Sequence, residues 1–213
     1  MFHNRQDAAR QLAAKLKGRE LRDPLVLGIP RGGVVIGAVL ARELGGDLDV
    51  VLARKLRAPG QPELAIGAIA EDGKVYLNHH AEEFLDLPEE YLAREKKHQL
   101  AEIARRQKLF RGTRSAIPLA GRSVILTDDG IATGSTMMAA LWVAKAQHPH
   151  ELIVAVPVAS PDSLQSLRRQ CDHIVCLLRP QSFWAIGQFY EDFRQTTDEE
   201  VRDLLAKANS PSC

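Results

Sequence analysis

The sequence predicts an α/β protein built on an open, mostly parallel sheet with helices on both faces. Three observations carry this. Short apolar runs recur at residues 25–29, 48–53, 123–127, 152–156 and 174–178, each bounded by loop residues. Such runs fit strands buried on both faces. Helical patterns separate most of them, and strands alternating with helices imply a parallel sheet. Finally, only 5% of residues are aromatic, so the core must be built from Val, Ile, Leu and Ala.

The elements follow in order. Residues 4–17 place Ala8, Ala9, Leu12, Ala13 and Leu16 at helical spacing. Asp23-Pro24 interrupts, and 25–29 (LVLGI) form the first strand. PRGG leads into the helix VVIGAVLAREL, which ends at Gly45-Gly46. Residues 48–53 complete a βαβ unit. Residues 56–65, with Pro59, Gly60 and Pro62, read as a mobile loop. Asp72-Gly73 between IGAIAE and KVYLN is a hairpin signal. Asn78-His79-His80 reads as a hairpin-to-helix junction, since adjacent histidines point apart. Residues 88–111, opening on Pro88, form a long charged helix with a sparse stripe of Leu92, Leu100, Ile103 and Phe110. Then follow strand 123–127, loop 128–134, helix 135–147, strand 152–156, helix 161–170 and strand 174–178. FWAIGQFY and 198–207 read as short helices, and 209–213 as a loose tail. One domain over 1–213 is expected, with a helical insertion at about 79–114 and a small hood at about 179–207.

Composition narrows the partners. There are 28 Lys and Arg against 27 Asp and Glu, a net charge of +1, so no global footprint for nucleic acid exists and any anion site is local. The basic stretch Arg105, Arg106, Lys108, Arg111 and Arg114 reads as a solvated helix face. Three cysteines are too few for a disulfide scaffold; Cys171 and Cys176 read as buried thiols and Cys213 as a tail thiol. The first 20 residues hold no apolar leader core and no run reaches membrane-spanning length, so a reducing cytoplasm is expected.

The chemistry concentrates in Val124-Ile-Leu-Thr-Asp128-Asp129-Gly130-Ile131-Ala132-Thr133-Gly134-Ser135-Thr136. An apolar strand runs into two carboxylates, then a small-residue loop, then a helix. The loop offers successive N–H groups and hydroxyls at a helix N-terminus, a cradle for phosphate. The carboxylates suit vicinal hydroxyls, or a Mg²⁺ held through water. Together they describe a ligand with a phosphate at one end and a sugar diol beside it. A phosphatase of the DxDGT type is excluded, because that motif is absent.

This segment resembles the phosphoribosyl pyrophosphate (PRPP) motif of the type I phosphoribosyltransferases, whose fold is Rossmann-like. Thr127 and Gly130 stand where that family usually has apolar residues. The resemblance implies that Asp128 and Asp129 hold the ribose hydroxyls while Gly130, Ile131, Ala132, Thr133, Gly134, Ser135 and Thr136 hold the 5-phosphate. Upstream, Gly28-Ile-Pro30-Arg31-Gly32-Gly33 resembles the family's pyrophosphate loop, with PRGGVVIGAVLAREL similar to the xanthine-guanine members. Gly32 and Gly33 allow close anion approach, and Arg31 suits bidentate pyrophosphate binding. The resemblance also implies an unusual peptide between Pro30 and Arg31. Arg54 and Lys55 would neutralise the leaving group, with Mg²⁺ held mainly by the substrate. IPRGG, RKLRAPGQPELAIGA and FWAIGQFYEDF are further similar to a family of stand-alone phosphoribosyltransferases, across nearly the whole chain.

The implied activity is displacement of pyrophosphate from C1 of PRPP by a nitrogen acceptor, in a homodimer with no membrane or nucleic-acid partner. Arg31, Arg54, Lys55, Asp128 and Asp129 are the candidate catalytic residues. Ser160, Phe183 and Trp184, with Tyr190 beside them, are candidates for the acceptor side. Ala132 stands where several purine-salvage relatives carry an acid, as in adenine-type members, so the likeness to 6-oxopurine enzymes stops there. Two alternatives stay open: a PRPP-binding regulator or RNA-binding protein without turnover, and a phosphorylase or hydrolase of ribose-5-phosphate compounds.

Overall fold

Strands β1 (Leu25–Gly28), β2 (Asp47–Val50), β6 (Ser123–Thr127), β7 (Glu151–Val158) and β8 (His173–Leu178) form one sheet in the order β2-β1-β6-β7-β8. Every pairing in it is parallel. A second, antiparallel sheet joins β3 (Arg54–Ala58), β4 (Gln61–Ile69) and β5 (Val75–Leu77). The computed structural model describes residues 1–59, 61–77 and 89–208. Asn78-His79-His80, Pro88, the start of the expected insertion and the 209–213 tail with Cys213 lie outside the described residues.

Alternation along each strand splits the core in two. Val26, Ile125, Ile153 and Ala155 face helices α1 (Arg5–Leu16), α2 (Gly32–Leu44) and α6 (Asp198–Ala208). Leu25, Leu27, Val124, Leu126, Val154 and Val156 face α4 (Ser135–Lys145) and α5 (Pro161–Leu167). All five residues of β6 are buried. Burying each large aliphatic side chain contributes about 1.5–3 kcal/mol, so this strand anchors the loop that follows it. The chain leaves β1 toward one helix layer and β6 toward the other, so the sheet has its switch point between them. Gly28 pairs with Thr127 there, and a crevice at such strand ends is where ligands of open α/β sheets bind.

The expected mobile loop at 56–65 is instead a strand pair, β3 against β4. Leu56, Ala58, Ile66 and Ala68 are buried. The register shifts between Arg57, opposite Ala65, and Ala58, opposite Gln61. Pro62 falls inside that irregularity, where its missing N–H interrupts no ladder. The hairpin at Asp72-Gly73 forms as expected: Gly73 has φ 79° and its N–H donates to the Ala70 carbonyl at 3.0 Å.

The long helix α3 (Glu89–Phe110) buries Ile103 and Phe110. Its basic end is not a free cationic face. Arg105 and Arg106 both bond Glu102, whose carboxyl they hold down at about 2. Arg111 is buried at the end of β2: its Nε donates to Asp49 Oδ1 at 2.8 Å and its Nη2 to the Val50 carbonyl at 2.6 Å, while Nη1 pairs with Glu71. Asp49 also accepts the N–H groups of Val50 and Ile117. This triad joins the central sheet, the small sheet and the end of α3.

The segment expected as a hood divides. A 3₁₀ turn at Ile186–Phe189 and the residues after it pair with residues 2–3, and α6 packs against α2 and α3. Cys171 and Cys176 are half-buried rather than buried, and burial lifts the Cys171 thiol to about 11. Among the described residues, no helix is long and apolar enough to cross a membrane.

Candidate functional site

The loop after β6 is an apolar strand end whose next side chains are acids. Asp128 Oδ1 accepts the Asp129 N–H at 2.8 Å. Burial, and then the Asp129 charge, hold the Asp128 carboxyl well above the usual carboxylate range. Asp129 differs because it is buried against a cation: Arg5 Nε donates to its Oδ2 at 2.8 Å. Of two adjacent acids, only Asp129 has a cation in direct contact.

Downstream, the Ile131 N–H donates to the Val158 carbonyl at 2.9 Å. The N–H groups of Ala132, Thr133, Gly134, Ser135 and Thr136 have no acceptor among the described residues; helical bonding resumes with Met138 N–H donating to the Gly134 carbonyl. Gly134 takes φ 77°, turning the chain into α4. Five consecutive unpaired donors at a helix N-terminus form a concave positive site. Gly130 is required for packing, since a Cβ there would lie 2.6 Å from Ile186 Cγ2.

The second loop comes from β1. The Pro30–Arg31 peptide is cis. Arg31 stands before α2 with its Nη1 3.6 Å from Asp198 Oδ1. Gly32 and Gly33 pack onto the acidic loop: a Cβ on Gly33 would lie 2.6 Å from the Thr127 carbonyl oxygen, and one on Gly32 would lie 1.9 Å from Asp129 Oδ2. Gly32→Ala is therefore expected to displace the Asp129 carboxylate. It should weaken binding of a ribose-phosphate ligand by about tenfold or more, the loss of one charge-assisted hydrogen bond. Calorimetric titration checks this, and unchanged affinity would refute the contact.

A cleft of about 50 Å³ is lined by Pro30, Arg54, Arg106 and Thr136, among others. It brings together the β1 loop, the cradle and two cations. Burial and the neighbouring Arg106 lower the Arg54 guanidinium below its usual range, so an anion in the cleft would relieve a like-charge contact. Arg54 Nε also donates to Gln99 Oε1 at 3.0 Å. Lys55 follows Arg54 in β3, and successive strand residues face opposite ways; the cleft lining includes Arg54 and not Lys55.

None of the acceptor candidates lines that cleft. The Ser160 hydroxyl caps α5 and donates to the Ala132 carbonyl at 2.8 Å, so it braces the cradle. Phe183 packs on Phe189 with ring centroids 5.3 Å apart. Trp184 is 90% exposed. Tyr190 is buried, and its hydroxyl donates to the Asp129 carbonyl at 2.6 Å.

The sequence reading missed Arg5 and Arg106. Arg5 did leave a signal: it opens a helix whose buried face is otherwise Ala8, Ala9, Leu12, Ala13 and Leu16. A charge on an apolar stripe requires a buried partner. Arg106 left none, being one cation in a helix rich in them.

The sequence pattern of the phosphoribosyl transferase domain matches residues 2–194. A protein of Mycobacterium tuberculosis (strain H37Rv), Rv0571c, provisionally named a phosphoribosyl transferase, is 42% identical over 209 residues, covering 98% of this chain and 47% of the relative. The same match is found in strain CDC 1551. The chain spans about half the length of these curated relatives. The crystal structure of TT1426 from Thermus thermophilus superposes with a TM-score of 0.92 at 43% identity, covering 98% of this chain and 99% of that one. The paired acids, the cradle and the Pro30–Gly33 loop lie inside the matched region, and the chain belongs to the phosphoribosyl transferase domain family.

Proposed function

We propose that the protein transfers the phosphoribosyl group of PRPP to a nitrogen acceptor. The C1–oxygen bond to pyrophosphate breaks, a C1–nitrogen bond forms with inversion, and the acceptor's proton leaves to solvent. The observation that carries this reading is the run of unpaired N–H groups from Ala132 to Thr136 beside Asp128 and Asp129. One end suits a phosphate and the other a ribose diol, and the two are adjacent in one loop. Arg31, Arg54 and Arg106 supply preorganised positive charge for the departing pyrophosphate, an electrostatic contribution to the transition state.

The donor set fits Mg²⁺ as a partner of the substrate. Among the described residues, no cluster of three His, Cys, Asp or Glu could hold a metal alone. Asp128 and Asp129 would hold the ion through water, and it would neutralise charge on the pyrophosphate. The acceptor is read as nucleobase-like from the exposed Trp184 and the half-buried Phe183, which offer aromatic faces for stacking.

Calorimetry with PRPP and Mg²⁺, followed by pyrophosphate release over a panel of purine and pyrimidine bases, tests the reading. Saturable binding with release for one base class is expected. No PRPP binding would overturn it; binding with no release for any base would favour a PRPP-responsive regulator.

A further inference from the structure

Asp129 is gripped from outside its own loop. Arg5 opens α1 on its buried face, and its guanidinium makes three contacts at once. Nε donates to Asp129 Oδ2 at 2.8 Å, Nη1 donates to the Arg194 carbonyl at 2.8 Å, and the guanidinium carbon stands 3.9 Å over the centre of the Phe193 ring. The Tyr190 hydroxyl holds the Asp129 carbonyl at 2.6 Å. Tyr190 is itself wedged between Phe2 and Phe193, with ring centroids 5.4 and 5.0 Å away. The backbones of Phe2 and His3 pair with those of Phe189, Glu191 and Asp192. Residues 2–5 and 189–194 thus form one strap beneath the acidic loop.

We propose that Arg5 is a positioning residue for PRPP binding: it fixes Asp129 by Oδ2, leaving Oδ1 to accept a ribose hydroxyl, with Tyr190 holding the same residue by its backbone. This rests on the PRPP reading above. The guanidinium is planar and offers several donors in a fixed fork, so one side chain can bind a carboxylate and a backbone carbonyl at once. A lysine could keep the charge but not both bonds in one plane. A carboxylate with one oxygen committed also loses its freedom to rotate, so less entropy is lost when the ribose hydroxyl arrives. Gly32 matches this arrangement, because its missing side chain leaves the space that Asp129 Oδ2 and Arg5 Nε occupy.

The test is calorimetric titration of PRPP with Mg²⁺ into wild type, Arg5→Met, Arg5→Lys, Tyr190→Phe and Val201→Ala. Val201 is buried in α6, makes none of the contacts named above, and serves as the control for lost stability. Thermal melting of each variant accompanies the titrations. Arg5→Met is expected to weaken PRPP at least tenfold, with Arg5→Lys intermediate and Tyr190→Phe about threefold weaker. Val201→Ala should melt earlier but bind PRPP as wild type does. Millimolar guanidinium, far below denaturing levels, should restore part of the affinity of Arg5→Met and none of Val201→Ala. Arg5→Met binding like Val201→Ala, or no rescue by guanidinium, would overturn the proposal. If Arg5→Met does not fold, Arg5→Lys and Tyr190→Phe decide it: wild-type affinity in both overturns it. Absence of PRPP binding by the wild type fails the functional reading itself, a result distinct from any variant effect.

Discussion

Changing Asp128 and Asp129 together to Asn is expected to lower the affinity for PRPP by about 100-fold or more. Each acid would lose a hydrogen bond to an ionised group, and such bonds contribute about 1.5–3 kcal/mol each. The single variants should separate in stability even though both lose binding. Asp129 is the partner of buried Arg5, and removing one member of a buried pair costs about 3–5 kcal/mol. Asp128 points the other way. Its folded carboxyl holds its proton to a higher pH than an unfolded one does, so ionisation opposes folding at every pH above the unfolded value of about 3.9. Asp128→Asn removes that opposition. It should melt higher than wild type at neutral pH, and the advantage should fade as pH falls toward 4. Melting curves at pH 4 and 7.5 check both signs; equal shifts for the two variants would show that their surroundings do not differ.

Arg111→Met is the largest expected change away from the site. Its side chain is 3% exposed and serves Asp49, Glu71 and the Val50 carbonyl. Methionine fills the volume and leaves Asp49 buried, and Glu71 half-buried, without this cation. A loss of about 3–5 kcal/mol follows, which for a chain of this size is a melting drop of about 6–20 °C. Adding Asp49→Leu and Glu71→Leu should recover part of the loss: an apolar trio no longer buries charge, while the Ile117 N–H and the Val50 carbonyl still lack their side-chain partners. A single variant melting within about 2 °C of wild type would show that the triad contributes little.

How much of this was legible beforehand depended on range. The five central strands are runs of adjacent apolar residues, and a run is visible without knowing its neighbours. The two loops were legible for the same reason: Pro30 to Gly33 and Asp128 to Thr136 are contiguous and follow strands directly. Strand β3–β4 was misread because Pro59, Gly60 and Pro62 are strong local breakers, and the irregular register that accommodates Pro62 exists only once β4 has paired. Arg54 and Lys55 looked equivalent as neighbours, and strand alternation separates them. Tyr190 looked like an acceptor contact because aromatic residues near a strand end often are. Its hydroxyl instead finds a carbonyl 61 residues away in the chain. Ser160 caps the helix that follows, a place a serine beyond a strand end suits as well as it suits a ligand contact.

The pairing of Gly28 with Thr127 also has a kinetic side. The β1 and β6 strands that deliver the two halves of the site are separated by roughly 100 residues of chain, and closing a flexible loop of that length costs about 4 kcal/mol of entropy. Local helices and the Asp72-Gly73 hairpin can form before this closure; the β1–β6 ladder cannot. Contacts of such long sequence separation slow folding. The candidate site therefore arises together with the central ladder. Ribose-phosphate ligands should raise the melting point through the folded state alone, and they should leave the first, local steps of folding unaccelerated.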